Sequence, residues 1–160
     1  MEGESDMKTE KIKEKIRNEI KIKLPSFSVN EGVARSTVAA FCAQLDPSTP
    51  ELADIKCVVS EAVTNCIVHG YRDCVGTIYI NVVLYQSGLV KIEIRDKGVG
   101  IADVGQARQP LFTTDAAGER SGMGFTVMES FTDRIKVTSK LGKGTKVSMY
   151  KRLAGRNADV

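Results

Sequence analysis

Polar and apolar residues alternate through Glu19-Ile20-Lys21-Ile22-Lys23-Leu24, which predicts a half-buried strand that Pro25 ends. From Asn30 to Leu45 the period changes. Val33, Thr37/Val38, Phe41 and Leu45 recur every three to four residues, predicting an amphipathic helix with Asn30 as its cap. Asp46-Pro47-Ser48-Thr49-Pro50 interrupts the pattern, and Pro50 suits the first turn of a second helix capped by Ser48 or Thr49. Leu52, Ile55, Val58/Val59, Ala62 and Cys66 carry the buried stripe of this helix to about His69, where Gly70 can end it. Thr77–Tyr85 and Val90–Arg95 predict a hairpin turning through Gln86-Ser87-Gly88. Residues 101–120 lack a clear period, and a stretch of that length inside a compact domain reads as a lid or as disorder. A short helix over Phe125–Phe131 follows. Arg134–Thr138 and Lys146–Tyr150 then form a last hairpin around Gly142-Lys143-Gly144. This order predicts an α+β fold, a two-layer sandwich whose mixed, mostly antiparallel sheet is covered on one face by helices.

At 160 residues the chain is expected to form one main domain. Residues 1–17 are charged and poor in large apolar side chains, so they read as a flexible extension; residues 18–153 form the folded unit and 154–160 a tail. Hydrophobic content of 42% and charged content of 27% suit a soluble globular protein. The net charge of +3 does not suggest a nucleic-acid binder, and Lys136, Lys140, Lys143, Lys146, Lys151 and Arg152 read as solvated strand faces and turns. The four cysteines form no Cys-x-x-Cys pair and there is one histidine, which argues against a zinc site. Cys42, Cys57 and Cys66 fall in helical patterns and read as small buried hydrophobes. No apolar run is long enough to span a membrane and no export signal is evident, so a cytoplasmic location is expected.

Three segments carry candidate chemistry. Glu61 and Asn65 stand four apart on the second helix and project from one face. A carboxamide oxygen is a reasonable Mg²⁺ ligand beside nucleotide phosphates, and a nearby carboxylate can deprotonate an attacking hydroxyl. Taken alone, the pair also fits a solvated polar helix face. Asp96 follows the strand Ile92-Glu93-Ile94-Arg95, where an acid can accept from an exocyclic amine while Gly98 and Gly100 let the backbone approach a flat ligand. Asp-x-Gly-x-Gly alone is equally a plain turn. Gly122 and Gly124, beside Ser121 and Met123, open a helix whose free amides suit phosphate, with Arg120 as an added cation. Gly-x4-Gly-Lys-Ser/Thr is absent, which excludes a Walker-type site.

In order and spacing, these segments and the late Gly142-Lys143-Gly144-Thr145 resemble the four nucleotide boxes of the Bergerat-fold ATPase/kinase superfamily. Ala34-Arg35-Ser36-Thr37-Val38-Ala39-Ala40-Phe41, the run from Ser60 to Tyr71, and Ala107-Arg108-Gln109-Pro110-Leu111-Phe112-Thr113-Thr114 further resemble the anti-sigma F factor family of spore-forming bacteria, a likeness covering residues 18–153. The resemblance implies a Bergerat-type fold and a serine-protein kinase that is also a sigma-factor antagonist. It implies a homodimer that holds the sporulation sigma factor F and phosphorylates an anti-anti-sigma protein on serine with ATP and Mg²⁺, with no direct nucleic-acid partner and no membrane. By position, Asn65 is expected to bind Mg²⁺, Glu61 to be the catalytic base, and Asp96 to read adenine with Thr145 nearby. Gly98, Gly100, Gly122 and Gly124 are expected to shape the pocket with Ser121 and Met123, Arg120 to contact the γ-phosphate, and Arg35 to meet the protein partners. The first strand is expected to pair across the dimer. Alternatives within reach of the same residues are a general-stress anti-sigma kinase, and a nucleotide-gated sigma-binding module without phosphotransfer.

Overall fold

A computed structural model describes residues 14–110 and 123–154. The expected elements are present, with two main differences in how helices end. Strand β1 spans Ile16–Pro25, helix α1 Val29–Cys42 and helix α2 Thr49–Asn65. Strands β2 and β3 are Thr77–Tyr85 and Leu89–Arg95. Helices α3 and α4 are Val104–Ala107 and Gly124–Ser130, and β4 and β5 are Arg134–Lys140 and Gly144–Arg152. The sheet order is β1-β2-β3-β5-β4. All four pairings are antiparallel, so among the described residues the sheet has no parallel pair. The helical connection from β1 to β2 reverses the chain in the same sense as the hairpins do.

Period-2 patterning explains how the layers meet. Ile78, Ile80, Val82 and Leu84 of β2, Ile92 and Ile94 of β3, and Val147 and Met149 of β5 lie on one face of the sheet. There they pack with Ala34, Val38 and Cys42 of α1, Ile55, Val59 and Val63 of α2, and Met128 of α4. Ile20, Ile22 and Leu24 extend that face from β1, their partial burial matching the alternation in sequence. On the opposite face Val83, Tyr85 and Leu89 pack with Tyr150, and basic side chains lie over aromatic rings, Arg95 at 4.7 Å from the Tyr79 centroid.

Asn30 is not the cap of α1. The helix begins two residues earlier, at Val29 after Ser28, and Asn30 instead donates its amide to the Pro25 carbonyl at 2.9 Å, fastening the end of β1 to the first turn. The α-helical hydrogen bonding of α1 stops at Cys42 and tightens into a single 3₁₀ turn over Ala43–Leu45, after which Asp46 turns the chain with a φ of 50°. Helix α2 starts as the sequence indicates. Ser48 accepts from the Glu51 amide at 3.3 Å while the Glu51 carboxylate accepts from the Ser48 amide at 2.8 Å, a complete capping box. Glu51 also receives the Ala154 amide at 2.8 Å, so one carboxylate joins the start of α2 to the chain just after β5. These donors hold its pKa below the ordinary carboxylate value. Beyond Asn65 the helix widens into a π turn over Cys66–Gly70, closed by the Tyr71 amide on the Cys66 carbonyl at 2.8 Å.

Cys42 and Cys66 are buried, Cys57 is partly buried and Cys74 exposed, all four as free thiols. Burial alone pushes the Cys42 thiol up to about 12. Among the described residues no helix is long and apolar enough to cross a membrane. Ser48→Ala removes the side-chain half of the capping box. It is expected to cost about 1 kcal/mol, read as a lower urea midpoint with an unchanged slope.

Candidate nucleotide-binding site

Helix α2 and its π turn form one wall of a cavity of about 480 Å³. Glu61 and Asn65, one helical turn apart, both line it, as do Cys66, His69 and Gly70. The opposite side comes from the ends of the sheet strands and the loops after them: Asp96 and Gly100 after β3, Leu141 before β5, and Thr145 and Val147 on β5. Met123, Gly124 and Phe125 at the start of α4 close a third side. Glu61, Asn65, Asp96, Gly100, Met123, Gly124 and Thr145 therefore line one cavity. Gly98 does not line it but sits behind Asp96. Arg35 stands apart on α1. Arg120, Ser121 and Gly122 lie outside the described residues.

The two ends of the cavity differ chemically. At one end a Cβ placed on Gly124 would stand 3.2 Å from the Glu61 carboxylate and 3.4 Å from the Asn65 carboxamide, so the first turn of α4 is drawn against that pair. The arrangement presents hard oxygen donors, a set suited to Mg²⁺ held jointly with phosphate and water. At the other end Asp96 is 4% exposed. Burial raises its pKa, opposed first by the Gly98 amide, which donates to its carboxylate at 2.9 Å, and then by the Cys66 thiol and the Thr145 backbone. A carboxylate that is little exposed and yet lines the cavity is placed to accept from a ligand amine.

Close main-chain packing holds Asp96. A Cβ on Gly98 would fall 2.1 Å from the Gly70 carbonyl oxygen, and the next residue, Val99, donates its amide to that same oxygen at 3.0 Å. The π turn and the loop after β3 thus meet backbone to backbone. Asp96 donates its own amide to the Thr145 carbonyl at 2.9 Å.

Sequence reasoning missed several supports. The Tyr71 hydroxyl donates to the Thr77 carbonyl and accepts the Lys97 amide, each at 2.7 Å, bracing the loop from below. Ser139 shares a hydrogen bond with the Thr145 hydroxyl at 2.8 Å and accepts the Ile101 amide at 2.7 Å, linking the loop after β3 to the last hairpin. Within the segment expected to be irregular, Asp103 caps the four-residue helix α3 by accepting the Gln106 amide at 3.0 Å. Arg108 then pairs with Glu129 of α4, its Nε donating at 2.8 Å. Apart from Asp103-x-x-Gln106, which carried a local sign, none of these pairs has a sequence spacing that signals contact, and the four residues of α3 are too few for periodicity to register.

Glycine at 98 and at 142 serves different ends, and two substitutions separate them. Gly98→Ala must displace the Gly70 backbone and is expected to cost about 1–3 kcal/mol in chemical denaturation. Gly142 has a φ of 74° with open space where a Cβ would go. Gly142→Ala is expected to cost only about 1 kcal/mol, the conformational penalty by itself.

The profile described as the histidine kinase-like ATPase domain matches residues 28–151. The anti-sigma F factor of Geobacillus thermodenitrificans (strain NG80-2) is 54% identical over 144 residues, covering 89% of this chain and 98% of that protein. The anti-sigma F factor of Geobacillus sp. (strain WCH70) is 56% identical over 137 residues, covering 85% and 93%. Among solved structures, the RsbU and RsbW domains of Rv1364c from Mycobacterium tuberculosis superpose with a TM-score of 0.62 at 20% identity, over 85% of this chain and 32% of that one. Full-length ShkA in complex with AMPPNP gives 0.54 at 15% identity, over 83% and 31%. At those identities the two structures speak for the fold alone. The chain belongs to the histidine kinase-like ATPase domain family, and within it to the anti-sigma F factors.

Proposed function

We propose that this protein is an ATP-dependent serine-protein kinase that also binds and inhibits the sporulation sigma factor F, and that its phosphoryl acceptor is a serine of the anti-anti-sigma protein. The observation that carries this reading is the single cavity with Glu61 and Asn65 against α4 at one end and buried Asp96 at the other. That order matches the charge pattern of ATP, with an amine-bearing base at one end and phosphates at the other.

On this reading Asp96 accepts from the exocyclic amine of adenine, and the Thr145 hydroxyl borders the same end of the cavity. Gly100, pressed against the Lys140 carbonyl, lines the cavity with its backbone, while Gly98 seats Asp96. Asn65 would hold Mg²⁺, which when bound neutralises phosphate charge. Met123 and Gly124 border the phosphate end. Arg120, Ser121 and Gly122, outside the described residues, are proposed to complete it. Glu61 accepts the proton from the partner's serine hydroxyl as that oxygen bonds to the γ-phosphorus. The bond from the γ-phosphorus to the bridging oxygen breaks, and ADP leaves with its electron pair. Positioning and charge compensation carry most of the rate in such a reaction, and the base adds to them.

Arg35 would meet both protein partners. Among the described residues strand β1 is an edge of the sheet, and such an edge suits addition of a second copy, in line with a homodimer. A cytoplasmic location fits a sigma-factor antagonist. We assign the ATP-binding unit to the chain from the start of β1 at Ile16, two residues before the boundary of 18 expected from the sequence, to residue 153, with the residues before and after it as extensions.

The test is transfer of label from γ-labelled ATP with Mg²⁺ to the anti-anti-sigma protein. Glu61→Gln is expected to retain ATP binding and to lower the transfer rate about 10²- to 10⁴-fold. Full activity in that variant would refute the base assignment. No label from the wild type with ATP bound would point to a nucleotide-gated sigma-binding module.

A further inference from the structure

Helix α1 carries a small charged assembly that the nucleotide site does not use. Glu31 and Arg35 stand one turn apart, with Arg35 Nε 3.8 Å from the Glu31 carboxylate. The same carboxylate oxygen accepts a hydrogen bond from the Ser60 hydroxyl of α2. Ser60 immediately precedes Glu61. The guanidinium lies beside Gly32, where a Cβ would stand 3.5 Å from one of its terminal nitrogens, an ordinary contact. The Arg35 side chain nevertheless remains 44% exposed, with the Glu31 side chain at 26%.

An exposed ion pair one turn apart contributes little to stability. What this one can supply is order. A free arginine samples many rotamers and loses that freedom when it binds. Glu31 is itself fixed from a second helix, so it draws the guanidinium toward α2 and limits its sampling before any partner arrives. A guanidinium has five donors, and a single long contact to Glu31 leaves most of them available to another anion.

We propose that Glu31, tethered by Ser60, is a positioning residue that holds Arg35 toward the catalytic helix, so that a carboxylate of the protein partner docks on the flank of α2 that leads to Glu61. The inference rests on the reading that Arg35 meets the partner. It adds a role for two residues outside the nucleotide site, and it gives the chemistry of the partner's contact: a carboxylate matched to an oriented guanidinium. Docking there would bring the partner's serine toward the residue that takes its proton.

The experiment measures binding of the anti-anti-sigma protein and of ATP to wild type, Glu31→Gln, Ser60→Ala, Arg35→Ala and the Glu31→Gln/Arg35→Ala double variant. Glu31→Gln keeps an acceptor for Ser60 but removes the charge that orients Arg35. Glu31→Gln and Ser60→Ala are each expected to weaken partner binding about threefold to tenfold, mainly through faster dissociation, with ATP affinity unchanged. In the Arg35→Ala background Glu31→Gln is expected to have no further effect, because it acts through Arg35. An equal loss in both backgrounds, or a parallel loss of ATP affinity, would overturn the positioning role while leaving Arg35 as the partner contact. Arg35→Ala binding as tightly as wild type would overturn both that role and the partner-surface reading.

Discussion

Around Asp96 the chain brings main chain against main chain with no space for a side chain between. Gly98 lies on the Gly70 carbonyl, Gly144 on the Asp96 carbonyl and Gly100 on the Lys140 carbonyl, each leaving only 2.1–2.2 Å for a Cβ. The three contacts join the π turn after α2, the loop after β3 and the last hairpin into one body. A buried carboxylate whose pKa burial raises is costly to hold ionised, and it is useful only if it points where a ligand can reach it. Backbone packing sets that direction more firmly than side-chain contacts would, because main-chain atoms have no rotamers to exchange. Tyr71, bonded to both Thr77 and Lys97, reinforces it from the side away from the cavity.

The same helix serves both ends of the cavity. The α-helical part of α2 offers Glu61 and Asn65, and the π turn that continues it offers Gly70 to the Asp96 loop. The widened turn changes the rise and rotation between the two groups, which a continued α-helix would have set differently. Helix α4 meets α2 at Gly124, so the start of one helix abuts the carboxylate and carboxamide of the other. The two walls of the site are thereby tied to the core through Val59, Val63 and Met128, which are fully buried.

Much of this was legible in the sequence because it was local. Period-2 and period-3.6 patterns gave the strands and both long helices, and Ser48-Thr49-Pro50-Glu51 carried its capping chemistry in four consecutive residues. Glu61, Asn65 and Asp96 could be singled out because their residue types and spacing suit phosphate, metal and base. What escaped was set by contacts between distant segments. Asn30 looked like a cap from its neighbours, but the Pro25 carbonyl took its amide. The π turn has no signature in Cys66-Ile67-Val68-His69-Gly70, and its Gly70 packs against the Gly98 backbone, which is distant in sequence. Ser139, Tyr71 and the Arg108–Glu129 pair act across 6 to 38 residues of sequence, and no periodicity reports that.

The central claim is that one nucleotide spans the cavity from Asp96 to the Glu61–Asn65 pair. The most direct measurement is a crystal structure of the protein with Mg²⁺ and a non-hydrolysable ATP analogue. The account predicts the exocyclic amine of adenine within hydrogen-bond distance of the Asp96 carboxylate and the metal on the Asn65 carboxamide oxygen. A nucleotide bound in the reverse direction, or outside this cavity, would contradict it.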